Sequence, residues 1–252
     1  MANLLKKERK NIILKHINIH SRVTFDELAQ LLNVSEDTIR RDLNELSEKN
    51  LISKIRGGAM ARANQYIPSS SKSSYAYEDK RIIAKKAISL LKDGMLVLVG
   101  GGTTVREFIK MIPENLKATF VTANPMTSIE LLEKPNIETI ILGGRISNYS
   151  QTVIGGDAFL KLAEIKADLC VLGTNAIDFN EGITDLEWET VEIKKAIFKA
   201  SKKVVILAIS EKLNTTMKLR VCPINEIDYL VTELSQDHPL LKAYQSSGIK
   251  II

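Results

Sequence analysis

The chain has 252 residues, of which 44% are hydrophobic and 26% charged, with a formal net charge of +5. That is chain enough for one large or two ordinary domains, and no apolar run approaches the roughly 20 residues needed to cross a bilayer. The charge is uneven: residues 1–62 hold 12 Lys+Arg against 8 Asp+Glu, while the other 190 hold 23 against 22. A basic, nucleic-acid-binding front on a near-neutral body is therefore expected, rather than an acidic or membrane-inserted protein.

The opening stretch MANLLKKERK carries charge without the long apolar segment of a secretory signal. Cys170 and Cys222 are the only cysteines, spaced as no disulfide framework would be, which suits a reducing cytosol. A cytoplasmic location is expected. Residues 4–19 read as a first helix with Leu5, Ile12, Ile13, Ile17 and Ile19 as candidate core. Lys6, Lys7, Arg9 and Lys10 at its start oppose the helix macrodipole, so either a nearby polyanion or plain solvation accounts for them. His16 and His20 have a zinc-compatible spacing but no third ligand, so no metal site is expected.

Residues 24–46, TFDELAQLLNVSEDTIRRDLNEL, predict two short helices around a tight corner. Thr24 and Glu27 form a capping box, Phe25, Leu28, Leu31 and Leu32 an apolar stripe, and Ser35 the second N-cap. On the second helix Ile39, Leu43 and Leu46 face inward; Asp37, Arg41 and Asn44 point away, flanked by Thr38 and Arg40. Arg reads guanine and Asn reads adenine bidentately, so this face has the chemistry to enter a major groove. A surface helix that merely carries two arginines is the plainer alternative. LISKIRGGAMA at 51–61 then reads as a hairpin whose Lys54 and Arg56 would touch phosphates as a wing. The expected DNA-contacting residues are Ser35, Asp37, Thr38, Arg40, Arg41, Asn44, Lys54 and Arg56.

Residues 62–77 are Ser-rich without periodicity and read as a linker between a head, 1–61, and a body, 78–252. In the body, apolar strands at 95–99, 118–122, 138–142, 168–172, 203–207 and 228–232 alternate with helices at 79–92, 104–112, 125–134, 157–165, 187–201 and 239–246. Ile249 to Ile252 can add an edge strand. Such alternation implies a mostly parallel sheet covered on both faces, with ligands bound outside the strands' carboxyl ends. Those ends read GGGTT at 100–104, TAN at 122–124, LGGR at 142–145, GTNAID at 173–178, ISEKLN at 209–214 and TE at 232–233.

The GGGTT segment leads straight into a helix, where glycine allows close approach and free N–H groups favour an anion. It lacks the lysine of a Walker loop and the third glycine of a dinucleotide fingerprint, so a small phosphate ester fits better than a nucleotide. A tight turn without a ligand is the plainer reading. The expected effector-binding residues are Gly101, Gly102, Thr103, Thr104, Asn124, Arg145, Asn175, Asp178 and Lys212, with Arg145 and Lys212 meeting phosphate or sugar oxygens. Glu192, Lys194 and Lys195 read as charges on a helix surface.

The stretch from Glu8 to Ala61, with VSEDTIRRDLNEL and KIRGGA, resembles the DNA-binding head of the DeoR family of bacterial transcriptional regulators, and the resemblance runs through nearly the whole chain. It implies an N-terminal winged helix-turn-helix domain and a C-terminal α/β sensor with a mostly parallel sheet, related in fold to ribose-5-phosphate isomerase. It implies a regulator of a sugar-metabolism operon, usually a repressor, without cofactor, whose partners are a double-stranded DNA operator, a phosphorylated sugar effector and further copies of itself, as dimer or higher oligomer. In the family pattern an acid commonly stands two residues before the glycine of GTT and another three residues before the later lysine; here Gly100 and Ile209 occupy those places. An isomerase with an appended head is the alternative, with Asp178, Asp185 or Glu192 as its base; the missing acids favour binding without turnover.

Overall fold

In the computed structural model, which describes residues 5–20, 22–61 and 75–252, the chain divides into two units, Met1–Tyr75 and Ala76–Ile252. Most of the linker expected at 62–77 lies outside the described residues; its last residue, Tyr77, already begins a helix.

The front unit consists of α1 (Lys6–His20), β1 (Arg22–Thr24), α2 (Phe25–Leu32), α3 (Glu36–Glu48), β2 (Ile52–Ile55) and β3 (Gly58–Ala61). Its helix ends follow from the capping residues. The Thr24 hydroxyl accepts the Glu27 N–H at 3.2 Å while the Glu27 carboxylate accepts the Thr24 N–H at 2.8 Å, closing a capping box at the start of α2. Asn33 ends α2 in the left-handed conformation, and the Ser35 hydroxyl accepts the Thr38 N–H to start α3. Ile13, Ile17, Leu28, Ile39, Leu43 and Ile52 form the centre of one core. Leu5, Ile12 and Leu31, expected inside, are exposed: Leu5 precedes the helix, and the other two fall just off the inward stripes. The hairpin is present, but β1 joins it in the order β1-β3-β2, which three residues of sequence did not announce. Gly58 is required there, because a Cβ would lie 1.9 Å from the Val23 carbonyl oxygen.

The second unit runs α4 (Tyr77–Ala87), β4 (Leu96–Val99), α5 (Thr103–Lys110), β5 (Ala118–Thr122), α6 (Pro125–Leu131), β6 (Ile137–Ile141), β7 (Arg145–Ile146), β8 (Val153–Ile154), α7 (Gly156–Glu164), β9 (Leu169–Gly173), β10 (Ala176–Asp178), β11 (Gly182–Asp185), α8 (Trp188–Lys199), β12 (Val204–Leu207), β13 (Leu219–Cys222), β14 (Tyr229–Val231), α9 (Lys242–Gln245) and β15 (Lys250–Ile251). The seven-stranded sheet has the order β15-β14-β12-β9-β4-β5-β6, and every pair in it is parallel. Its interior strands are buried on both faces, as their unbroken apolar sequences require.

Two helices are shorter than expected. The one read over 79–92 stops as an α-helix at Ala87 and ends in a 3-10 turn, Ile88–Leu90. The one read over 239–246 is a 3-10 turn, Pro239–Leu241, followed by the single turn of α9. The antiparallel pair β7-β8 and the small sheet β10-β11-β13 were not visible in the sequence, since strands of two to four residues carry too few alternations to read.

Chain order sets where a ligand can bind. From β4 the chain moves to β5 and β6 on one side, then crosses to β9, β12, β14 and β15 on the other. The carboxyl ends of β4 and β9 therefore diverge at a topological switch point, which opens a crevice in sheets of this kind.

Candidate functional site

In the front unit, Asp37, Arg40, Arg41 and Asn44 are exposed along α3, with Ser35 exposed and Thr38 half-buried at its start. Arg40 pairs with Glu36 at 3.2 Å, and its guanidinium lies 4.1 Å from the centre of the Phe25 ring, so it is braced against α2. Lys54 and Arg56 are exposed on the hairpin.

The basic start of α1 has a different use from the one its macrodipole suggested. Arg9 holds Asp42 with two hydrogen bonds, at 2.5 and 3.1 Å, while Lys6 and Lys10 both pair with Glu45. Hydrogen bonds from Lys10 and Lys6 bring the Glu45 carboxyl down to about 2. Three of the four cations thus pin α1 to the flank of α3, and need neither a polyanion nor bare solvation to explain them. Lys7 is exposed. The rings of His16 and His20 meet edge-on at 4.5 Å.

In the second unit, the loop after β4 lies at the switch point. The Gly100 N–H donates to the Val171 carbonyl at 3.0 Å, and the Thr127 hydroxyl donates to the Gly100 carbonyl at 2.9 Å, fixing the loop between β9 and α6. Gly101 must be glycine, because a Cβ would lie 2.3 Å from Asn124 Nδ2. Gly102 has φ +106°, faces open space and starts α5 with no side-chain cap, so the first N–H groups of that helix are available to a ligand. Thr103 is half-buried and Thr104 buried.

Across the switch point, Asn175 donates to the Asp185 carboxylate at 3.3 Å, and Lys194 pairs with the other oxygen of Asp185 at 2.5 Å. Asp185 is 0% exposed. Burial would raise its carboxyl; the charge and hydrogen bond of Lys194, with the Leu186 N–H and Asn175, hold it below the ordinary range. Lys212, half-buried, donates to the Thr174 carbonyl at 2.5 Å. Burial first, then the positive charges of Lys80 and Lys194, pull Lys212 down to about 7, against the opposing pull of Asp185. Lys80, on α4, is 5% exposed, and burial lowers it to about 8 despite the neighbouring charges of Glu107, Asp79 and Glu211. The charges of Lys80 and Lys194 thus both reach Lys212, which is tied to the residue just past the end of β9.

The remaining expected residues are engaged elsewhere. Asn124 caps α6 by accepting the Thr127 N–H and donates to the Gln151 carbonyl. Arg145 is exposed on β7 and pairs with Glu189 at the start of α8. Asp178 accepts the N–H groups of Asn180 and Glu181, closing the turn from β10 to β11. The segment GTNAID is thus only in part a loop, since its second half is strand.

The profile of the DeoR-like helix-turn-helix domain matches residues 9–65, and that of the DeoR C terminal sensor domain matches residues 75–234. The chain belongs to the DeoR family. It is 30% identical over 254 residues to the HTH-type transcriptional regulator GlpR of Haloferax volcanii, covering 99% of this chain and 98% of the relative. It is also 30% identical over 251 residues to the HTH-type transcriptional repressor GlcR of Bacillus subtilis, covering 99% and 96%. Among solved structures it is similar to ribose 5 phosphate isomerase A from Neisseria gonorrhoeae (TM-score 0.40, 17% identity, 54% of this chain and 53% of that one). It is similar too to the translation initiation factor eIF-2B of Pyrococcus horikoshii OT3 (TM-score 0.46, 15% identity, 91% and 88%). This DeoR-family transcriptional regulator has no described helix long and apolar enough to cross a membrane.

Sequence reasoning missed that Lys80 and the Lys194 side chain turn inward, and weighed Asp185 only as a base. A signal was there. Lys80 shares the spacing of Ile83, Ala84 and Ala87, all buried, so it falls on the inward stripe of α4. Lys194 stands four residues after Thr190 and three before Ile197, both buried, which places it at the inner edge of α8 rather than on its surface.

Proposed function

We propose that this DeoR-family regulator binds duplex DNA through α3 and the β2–β3 hairpin and is released by a phosphorylated sugar held at the switch point of its sensor. In this reading Arg41, Asn44 and Asp37 meet base edges, with Thr38 and Arg40 beside them, while Ser35, Lys54 and Arg56 meet phosphates. The phosphate lies at the start of α5, against Gly101, Gly102, Thr103 and Thr104, and is neutralised by Lys212 and Lys80. Asn175 and the Asp185–Lys194 pair line the sugar side. Asn124, Arg145 and Asp178 serve the scaffold.

The observation that carries the effector reading is Lys212, held on the Thr174 carbonyl just past β9 where the strand order reverses, with the charges of Lys80 and Lys194 near enough to act on it. A buried lysine lowered by two neighbouring cations is tolerable in a folded protein when a dianion is to sit beside it. Operators of helix-turn-helix proteins mirror a twofold axis, so the working unit is a dimer or larger. GlcR is a transcriptional repressor by name, which makes repression the first reading here also, and a DNA partner supports a cytoplasmic location.

Binding without turnover is supported by the state of the carboxylates. Asp178 is occupied by two N–H groups, Asp185 by Lys194, Asn175 and Leu186, and Glu192 pairs with Lys195 at the surface. None is poised as the base an isomerase needs. Incubation with ribose and fructose phosphates is expected to give no product, and a ketose–aldose interconversion would overturn this part.

The test of the whole is an anisotropy titration on duplexes selected from a random pool, with and without a panel of phosphorylated sugars. At least one sugar phosphate is expected to weaken DNA binding and to raise the melting temperature; indifference to the whole panel in both assays would refute the effector reading. Arg41→Ala is expected to abolish sequence-specific binding while leaving the ligand-induced melting shift intact. Loss of both together would refute the division of labour between the units.

A further inference from the structure

The sensor sheet has two edges, and the chain treats them differently. At one, β15 is two residues long and carries Lys250, which is how natural sheets blunt an edge against pairing. At the other, β6 runs five residues, IETII, with three isoleucines, no lysine, no proline and an unbroken register on β5. Among the described residues β6 pairs with β5 alone. Ile140 and Ile141 are 43% and 47% exposed, and Ile129 and the residue after α6, Leu132, add exposed apolar surface from the helix packed beside the strand.

The backbone of this edge can be counted. The Leu142 N–H donates to the Thr122 carbonyl, so even-numbered residues turn their polar groups toward β5, and alternation turns those of Ile137, Thr139 and Ile141 outward. The Ile137 N–H is taken by the Lys134 carbonyl. Left over are the N–H groups of Thr139 and Ile141 and the carbonyls of all three. The side chain adds one more unused group: the Thr139 hydroxyl oxygen is buried and has no hydrogen-bond partner among the described residues.

We propose that β6 joins two copies of this chain, pairing antiparallel with itself about a twofold axis at Thr139. Three registers bring the outward groups together, centred on residue 138, 139 or 140. The first sets Glu138 opposite Glu138 of the second copy, which like-charge repulsion disfavours. The third sets Thr139 opposite an isoleucine and leaves its hydroxyl unused. The middle register sets Thr139 against Thr139, where rotation of the side chains out of their buried positions would let the two hydroxyls bond each other, Ile137 against Ile141, and Glu138 against Ile140. It uses the N–H groups of Thr139 and Ile141 from both copies and merges the two sheets into one. This sharpens the self-association proposed above by giving it a surface.

The test uses the full chain in sedimentation velocity over a concentration series, with circular dichroism to check folding. Wild type is expected to self-associate, and Ile141→Lys to weaken that association by about tenfold or more at unchanged secondary structure. Thr139→Cys is expected to cross-link into dimers on mild oxidation, because a directly opposed pair sits at about 5.5 Å between Cα atoms, within disulfide range; Lys250→Cys, at the other edge, is expected not to. If Ile141→Lys fails to fold, the cross-link decides alone. A self-associated wild type that does not cross-link at position 139 overturns the surface and leaves self-association standing, as does one unmoved by a folded Ile141→Lys. A wild type that stays monomeric at high concentration overturns both.

Discussion

With a phosphorylated sugar held as proposed, Lys212 and Lys80 set how its binding should depend on pH. Lys212 titrates at about 7 and Lys80 at about 8, each far below the usual 10.5, chiefly because of burial. At pH 8 the empty site therefore holds Lys212 mostly neutral and Lys80 half-charged. A phosphate monoester is already dianionic there, its second ionisation lying near 6. Its charge favours the protonated lysines, so binding takes up protons, about one and a half per site at pH 8 if both become fully charged. Groups whose affinity for protons rises on binding favour the complex below their free-site values, and that advantage is lost as pH climbs through them. Between pH 7 and pH 9 the affinity should fall by about 50-fold through Lys212 and by about tenfold more through Lys80, as a ceiling. The remaining charges that face the cluster are Lys194, Asp185, Glu107, Asp79 and Glu211. For the empty protein the same lysines act in the opposite sense: the folded chain binds fewer protons than the unfolded one between about 7 and 10.5, so their contribution to stability improves as pH rises across that window. Titration calorimetry with ribose 5-phosphate, fructose 6-phosphate and inorganic phosphate at pH 7, 8 and 9 measures the affinity. Repeating pH 8 in two buffers of different ionisation enthalpy counts the protons, and Lys212→Met should remove most of one. An affinity that holds steady or improves from pH 7 to 9, with no proton uptake, would refute the assignment of these lysines to the phosphate.

Two further substitutions probe the two units separately. Asp185→Asn strands Lys194, whose side chain is 17% exposed. It should cost about 3 kcal/mol, seen as a melting temperature lower by about 6–12 °C that added sugar phosphate does not fully restore; a change under about 2 °C would mean the pair is not holding the crevice. Asp42→Ala removes both hydrogen bonds to Arg9 and should cost the front unit about 2 kcal/mol. DNA affinity should fall while the ligand-induced melting shift of the sensor is unchanged, whereas retained DNA affinity would show that α1 does not need this anchor to hold α3 in place.

What could be read in advance divides along physical lines. Capping residues act within three positions in sequence, so Thr24, Glu27, Asn33 and Ser35 announced the ends of α2 and α3 directly. Long apolar runs such as LVLV at β4 and VVIL at β12 announced the buried parallel strands and, with them, which loops gather at one rim. Contacts between side chains distant in sequence were not legible. Arg9 meets Asp42 across 33 positions, and Arg145 meets Glu189 across 44, so a cation that looked free to bind a ligand was already paired. Lys80 and Lys212 lie 132 residues apart and come near each other because α4 packs against α5, β12 and β14, and Lys212 follows β12.

Gly100 and Ile209 stand where the family pattern commonly has acids, and the packing around position 100 bears on the first of them. The backbone of Gly100 is not in the left-handed region, so any residue could adopt its conformation. What excludes a side chain is Leu172 on β9, whose Cδ2 would lie 2.6 Å from a Cβ at position 100. Leu172 is itself a core residue, and Ile209 is buried as well. A side chain at position 100 would therefore have to displace apolar packing, and in the proposed reading the sugar side falls to Asn175 and the Asp185–Lys194 pair. Gly100→Asp alone should therefore cost about 1–3 kcal/mol through overpacking, and Leu172→Ala alone about 2–5 kcal/mol through the cavity it leaves. Together they should be more stable than the sum of the two losses by about 1 kcal/mol or more, since each relieves the other. Denaturant unfolding of the four proteins measures that coupling. If the two costs add to within about 0.5 kcal/mol, Leu172 is not what keeps the acid out, and the remodelling of this rim has another origin.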